Sequence, residues 1–331
     1  MNKTFIIAEA GVNHNGKVSI AKKLVDKAKY AGADAIKFQT FIPEQLTTVN
    51  VKTAKYQSKK SISQQSLLKK LNLKFKDFIE LKKYCKKKNI FFLSSAFDLK
   101  SLNFLLKLNL KFYKIPSGQI NDLPYLHLLA KKNKKILLST GMSNLNEITK
   151  CLKTLIKYGT NKANISLLHC NSAYPTPMDD VNLKVLNLFK KKFKTQIGLS
   201  DHSQGTLAPV LSIALGSKFI EKHFTLSKKM IGPDHKSSLE PKEFKIMVQN
   251  IRLAEKILGK EKKVVTKSEK QNIKFVRKSI VAKKVIEEGE KLSNSNITTK
   301  RPGHGVNPMK FFKVLGKKAK KKFNKDELII L

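Results

Sequence analysis

The sequence predicts an α/β chain folded as a (β/α)8 TIM barrel with a smaller domain behind it. Three observations predict it. Eight short β-like runs alternate with apolar patterns of helical period between Phe5 and Leu258, more units than a doubly wound sheet usually needs. Polar residues gather at the ends of those runs while their starts are apolar, as expected where barrel chemistry sits at the C-terminal ends of strands. After Leu258 the text turns polar and poor in core residues.

The runs come in order. FIIAEA (Phe5 to Ala10) precedes a helical stretch from about Val18 to Ala31, and AIKFQT (Ala35 to Thr40) leads into a polar excursion through Ser63 and a helix ending near Lys88. IFFLSS (Ile90 to Ser95), FYKIPS (Phe112 to Ser117), ILLST (Ile136 to Thr140) and ISLLHC (Ile165 to Cys170) follow. QIGLS (Gln196 to Ser200) and FIEKHF (Phe219 to Phe224) complete the eight. Side chains two apart share a face of a strand. Lys37 and Gln39, or Glu221 and His223, therefore point one way and their apolar neighbours the other. The inward set is expected to include His169 and Asp201, and Lys222 has no explanation in this pattern. Residues 1–258 are read as the barrel, 259–274 as a linker, and 275–331 as a small second domain with β-like pieces and turn signals such as EEGE and RPGHG.

Composition narrows the function. The 331 residues carry a net charge of +43, but only Arg252, Arg277 and Arg301 are arginines, and the lysines are spread over every helical stretch. Scattered lysine reads as solvated surface, so no nucleic-acid partner is expected, although the field would recruit an anionic metabolite. No apolar run approaches a membrane span and no leader is apparent, so a cytoplasmic protein is expected. Cys85, Cys151 and Cys170 form neither a disulfide framework nor a thiolate zinc pattern.

His202 and His223 sit at the ends of the last two strands, where two imidazoles can share one divalent ion and leave coordination positions open. Lys37 and Lys114 point into the barrel and favour an anionic ligand, since an unpaired buried ammonium is costly. Ser117-Gly118 and Ser139-Thr140-Gly141 follow strands and could hold phosphate at helix N-termini. Glu9, before a Gly-rich turn, is either part of that turn or a carboxylate aimed at sugar hydroxyls. Asp234 reads equally as a helix cap or a group beside the metal. Rival readings are a Schiff-base aldolase using Lys114 and a non-catalytic anion- or saccharide-binding protein.

Taken together, IIAEAGVNHNG, AIKFQTF, KIPSGQI, LLSTGM, LLHCNSAYPTP, GLSDHS, EKHFT, GPDHKSSLEP and KRPGHG form an ordered series that resembles the sialic acid synthase family end to end. The resemblance implies a C–C bond-forming transferase that condenses phosphoenolpyruvate with an N-acylated mannosamine-type sugar. It implies a manganese-type ion, with magnesium or cobalt as alternatives, on His202 and His223. It also implies phosphoenolpyruvate among Lys37, Ser95, Lys114, Ser117, Ser139 and Ser200, with Glu9, Gln39 and Asp234 as catalytic candidates. The sugar would meet Glu9, Gln119, Ser172, Tyr174 and Arg301. The tail resembles the family's antifreeze-like (SAF) domain, in which Arg301 would reach a neighbouring subunit's sugar in a domain-swapped homodimer. Gln119 and Ser172 depart from the glutamate and asparagine that some members carry. N-acetylmannosamine, giving N-acetylneuraminate, is the expected substrate, with a 2,4-diacetamido-6-deoxy sugar giving a legionaminate-type product as the alternative.

Overall fold

Eight parallel strands close into a barrel in sequence order: β1 (Phe5–Gly11), β2 (Ala35–Thr40), β3 (Phe91–Ala96), β4 (Tyr113–Ile115), β5 (Ile136–Ser139), β6 (Ile165–Cys170), β7 (Gln196–Asp201) and β8 (Phe219–His223). Closure is made by β1 against β8, with Phe5 opposite Phe219 and Glu9 opposite His223. The computed structural model describes residues 3–53 and 63–331, so residues 54–62 of the polar excursion before Ser63 lie outside the described residues. β4 is shorter than the run FYKIPS suggests, because Pro116 cannot donate to a ladder.

Strand alternation sorts side chains into layers. Inside, Ile7, Ala35, Leu93, Leu137, Leu168 and Phe219 form an apolar plug low in the barrel. The same inward faces turn polar one step higher, with Glu9, Lys37, Ser95, Lys114, Ser139, Ser200 and Glu221. Outside, alternate residues such as Ile6, Ile36, Phe38, Leu138 and Ile220 pack under the helices in one continuous core. The bottom is closed by Phe5, Phe91, Phe112 and Phe219 in edge and tilted contacts, with the Lys111 ammonium 3.7 Å from the Phe91 ring centre.

Two expectations about strand faces are corrected here. Asp201 points outward, toward the helix layer, where Lys222 Nζ meets its Oδ2 at 2.5 Å across the β7 and β8 register. This pairing also explains Lys222, since both side chains are buried together away from the cavity. His169 likewise faces outward, Nε2 bonded at 2.7 Å to the Val181 carbonyl and its ring edge-on to Phe189.

The chain divides after Gly259. In the unit from Lys260, residues 259–274 are not all connector: Lys267–Val276 is a helix capped by Thr266, whose hydroxyl accepts from Glu269 N while Glu269 reaches back to Thr266 N. This unit also holds the antiparallel pair β9 (Ser279–Ala282) and β10 (Ile297–Lys300). Its own small core joins Ile280, Ile286, Leu292, Val314, Phe323 and Ile329.

Candidate active site

A cavity of about 510 Å³ opens at the C-terminal ends of the barrel strands. Its floor is a buried charge network. Lys37 Nζ lies 2.8 Å from Glu9 Oε2 and 3.5 Å from Glu221 Oε1, Lys114 Nζ lies 2.7 Å from Glu221 Oε1, and Lys37 donates to Ser95 Oγ at 3.0 Å. Ser200 Oγ donates to Glu221 Oε1 at 3.2 Å. Burial pushes Glu221 toward the neutral form, but Lys114 and Lys37 outweigh it and hold the carboxyl down at about 2. Glu9 goes the other way. Burial, opposed by Lys37 and reinforced by Glu221, lifts it to about 7. Two lysines thus face one firmly ionised carboxylate and one that is half neutral near pH 7, which leaves the floor positive and suited to an anion.

Above the floor stand the two histidines, ring centres 5.2 Å apart, with Tyr174 tilted over His202 at 4.1 Å and edge-on to His223 at 5.6 Å. His202 Nδ1 donates to the Asn171 carbonyl at 2.5 Å, so Nε2 is the ring nitrogen that a ligand would use. Burial lowers the pKa of His202, yet Cys170 and that carbonyl raise it overall. Burial and the neighbouring His202 push His223 far below the usual range, so it is neutral. Its Nδ1 is buried with no hydrogen-bond partner, 4.0 Å from Asp234 Oδ2. Among the described residues no three His, Cys, Asp or Glu side chains form a ready metal cluster. The donor set fits an ion with two imidazole ligands and a carboxylate alongside, whose remaining positions other oxygens would fill. Ser139 Oγ and Glu221 Oε2 are likewise buried and unmet at the cavity.

Backbone shape lets these groups converge. Gly11, at φ +52° beside an irregularity in the β1 ladder, has Gln39 Nε2, Glu9 Oε1 and Asp234 Oδ2 all within 3.5 Å of where a Cβ would stand. Gly141 has Ser172 Oγ and Ser117 Oγ inside contact distance of its missing Cβ. Asp234 is held by its loop, with Ser238 Oγ donating to the Asp234 carbonyl and Asn13 Nδ2 donating to Ser238 Oγ.

Of the residues singled out in the sequence, Glu9, Lys37, Gln39, Ser95, Lys114, Ser117, Ser139, Ser172, Tyr174, Ser200, His202, His223 and Asp234 line this one cavity. Gln119 does not. Its amide donates to the Phe97 carbonyl and to Asp122. Arg301 belongs to the second unit, exposed, its Nε donating to the Val276 carbonyl. The expectation that helix N-termini hold phosphate fails on local geometry. Gly141 N already donates to Ser117 Oγ, Ser117 to Gln119 form a single 3₁₀ turn, and the helix after β5 starts only at Leu145 under its own Asn144 cap. Glu221 and Cys170 were given no role by the sequence reading. The alternation that pairs Glu221 with His223 carries the signal for the first. Nothing in the spacing marks Cys170, whose Sγ lies 3.8 Å from His202 Nδ1.

A closed barrel whose mouth gathers buried lysines, carboxylates, hydroxyls and two imidazoles defines a barrel enzyme. The chain belongs to the NeuB family, whose model matches residues 24–263, and residues 277–330 match the SAF domain. It is 50% identical, over 99% of both chains, to the N,N'-diacetyllegionaminic acid synthase of Campylobacter jejuni, and 41% identical, over 94% of this chain and 89% of the relative, to that of Legionella pneumophila. Among solved structures, the N-acetylneuraminic acid synthetase of Leptospira borgpetersenii in complex with citrate superimposes with a TM-score of 0.74 at 36% identity, covering 82% of this chain and 90% of that one. The protein is thus a nonulosonate synthase, a transferase that forms a carbon–carbon bond.

Proposed function

We propose that the protein condenses phosphoenolpyruvate with an open-chain 2,4-diacetamido-2,4,6-trideoxymannose to give a legionaminate-type nine-carbon acid and inorganic phosphate. The observation that carries the reading is the two-sided cavity. Its floor is cationic and hydroxyl-rich, while one wall is apolar, built from Val12, Phe41, Leu46, Leu67, Leu68, Leu71 and Phe97. A triply anionic substrate suits the floor, and a sugar with a methyl in place of a hydroxyl and two acetamido methyls suits the wall. The 50% and 41% identical relatives support the same sugar. N-acetylmannosamine, the reading the resemblance puts first, is supported by the 36% identical synthetase and is the competing substrate.

Lys37, Lys114, Ser95, Ser139 and Ser200 would grip the phosphate and carboxylate, setting C3 of the enol against the aldehyde carbon. His202 and His223, beside Asp234, would hold a divalent ion, manganese by resemblance with magnesium or cobalt as alternatives, and when bound it supplies Lewis-acid polarisation of the aldehyde oxygen. As C3 bonds to that carbon the oxygen takes a proton, and water adding at C2 releases one before phosphate leaves. Glu9, poised at about 7, can give the first proton and receive the second. Lys114 is engaged by Glu221 at 2.7 Å, which speaks against its use as a Schiff-base nucleophile. By the same resemblance, Arg301 would contact the N-acyl group in the partner subunit of a domain-swapped homodimer.

Phosphate release measured with both sugars side by side tests the substrate. The diacetamido sugar should win in kcat/KM by about tenfold or more, the usual worth of apolar pocket contacts. Equal or better turnover of N-acetylmannosamine would overturn the assignment.

A further inference from the structure

The outward-facing pair Asp201 and Lys222 has no place in the cavity, yet each stands one residue before a cavity histidine. Resting on the reading of His202 and His223 as metal ligands, we infer that Asp201, Lys222 and Ser203 form a positioning clamp that sets the spacing of those two imidazoles.

The contacts converge from both strands. Lys222 Nζ meets Asp201 Oδ2 at 2.5 Å and also donates to the Ser203 carbonyl. Asp201 Oδ1 accepts from Ser203 N at 3.0 Å and from Ser203 Oγ at 2.7 Å. One lysine on β8 therefore grips the chain on either side of His202, while Lys222 itself is the residue before His223. The His202 carbonyl accepts from Thr176 N at 3.0 Å, which leaves the backbone of this turn little freedom. Both ionic partners are almost wholly buried, 1% and 2% exposed. An ion pair at such depth costs desolvation and is seldom worth more to stability than apolar residues of the same shape. Its value lies in the fixed direction of its bonds. Groups that orient metal ligands from behind commonly change metal affinity about 10- to 100-fold when removed.

The test is manganese binding by calorimetry and electron paramagnetic resonance on the full chain, without substrates. Wild type and His202→Ala come first: equal affinity would sink the metal reading itself, and the clamp with it. If the histidine matters, the paired variant Asp201→Asn with Lys222→Met decides. Removing both charges leaves no unpaired buried ion, so thermal stability should stay near wild type while manganese affinity falls about tenfold or more. Affinity within about twofold of wild type in the folded double variant would overturn the clamp. Should that variant fail to fold, Ser203→Ala, which deletes one bond to Asp201, gives the answer. A severalfold loss of manganese affinity with the melting temperature retained supports the clamp, and unchanged affinity overturns it.

Discussion

Glu9 shows how much one position can carry. Its strand puts it inside the barrel, Gln39 Nε2 donates to its Oε1 at 3.3 Å beside the irregularity at Gly11, and burial raises its pKa to about 7. A carboxyl that acts first as an acid must begin protonated, so kcat/KM should fall as pH rises through about 7. Glu9→Gln should lose that alkaline limb together with about 100-fold or more of the rate. Phosphate release followed across this range checks it; a variant that keeps the wild-type profile would remove Glu9 from proton transfer. At this scale the sequence was legible wherever period-two alternation met a strand end, which is why Lys37, Lys114, His202 and His223 emerge from it. It misled where a polar residue lies one step off the inward face. Asp201 and His169 look like site residues in the text, and only their partners Lys222 and Val181 reveal that they face the helix layer. Gln119 fails for another reason: Phe97 O and Asp122 draw its amide aside.

Between elements, the barrel is sealed from below by its one arginine. Arg252, on the helix Pro241–Leu258, donates to the Thr4 carbonyl at 2.8 Å and to Asp34 Oδ2 at 3.1 Å, while Asp34 Oδ2 accepts from Ile6 N and Glu255 Oε1 accepts from Thr4 N. The fork thus ties the last barrel helix to the start of β1 and to the turn before β2. Lysine cannot reproduce it, because one ammonium cannot reach both acceptors in fixed planes. Arg252→Lys should cost about 1 to 2 kcal/mol in urea unfolding with the catalytic constants unchanged, the range for charge-assisted bonds that are half lost. A variant as stable as wild type would show that packing alone closes the barrel. Strand order was readable because each β-like run carries its own apolar start, and the helix Lys267–Val276 was missed despite its signature. Thr266 and Glu269 spell a capping box, but the helix buries none of its side chains, so no apolar stripe announces it.

At the scale of the molecule, the chain comprises two units with separate cores, and Arg301 sits in the one without the cavity. Resemblance assigns that arginine to a partner subunit's sugar. Complementation can display that role. His202→Ala removes the proposed metal ligand from a barrel whose tail is intact, and Arg301→Ala removes the tail contact from an intact barrel. In a swapped dimer each homodimer is impaired at both sites, whereas a mixed dimer unites the intact barrel of one protomer with the intact Arg301 of the other. Unfolding and refolding an equal mixture should therefore return about a quarter of the wild-type sites, since half the dimers are mixed and each has one complete site. If Arg301 instead serves its own barrel, or serves none, mixing returns no more than the average of the two parents. Phosphate release before and after mixing separates these outcomes, and sedimentation of the same samples reports whether dimers are present to be mixed.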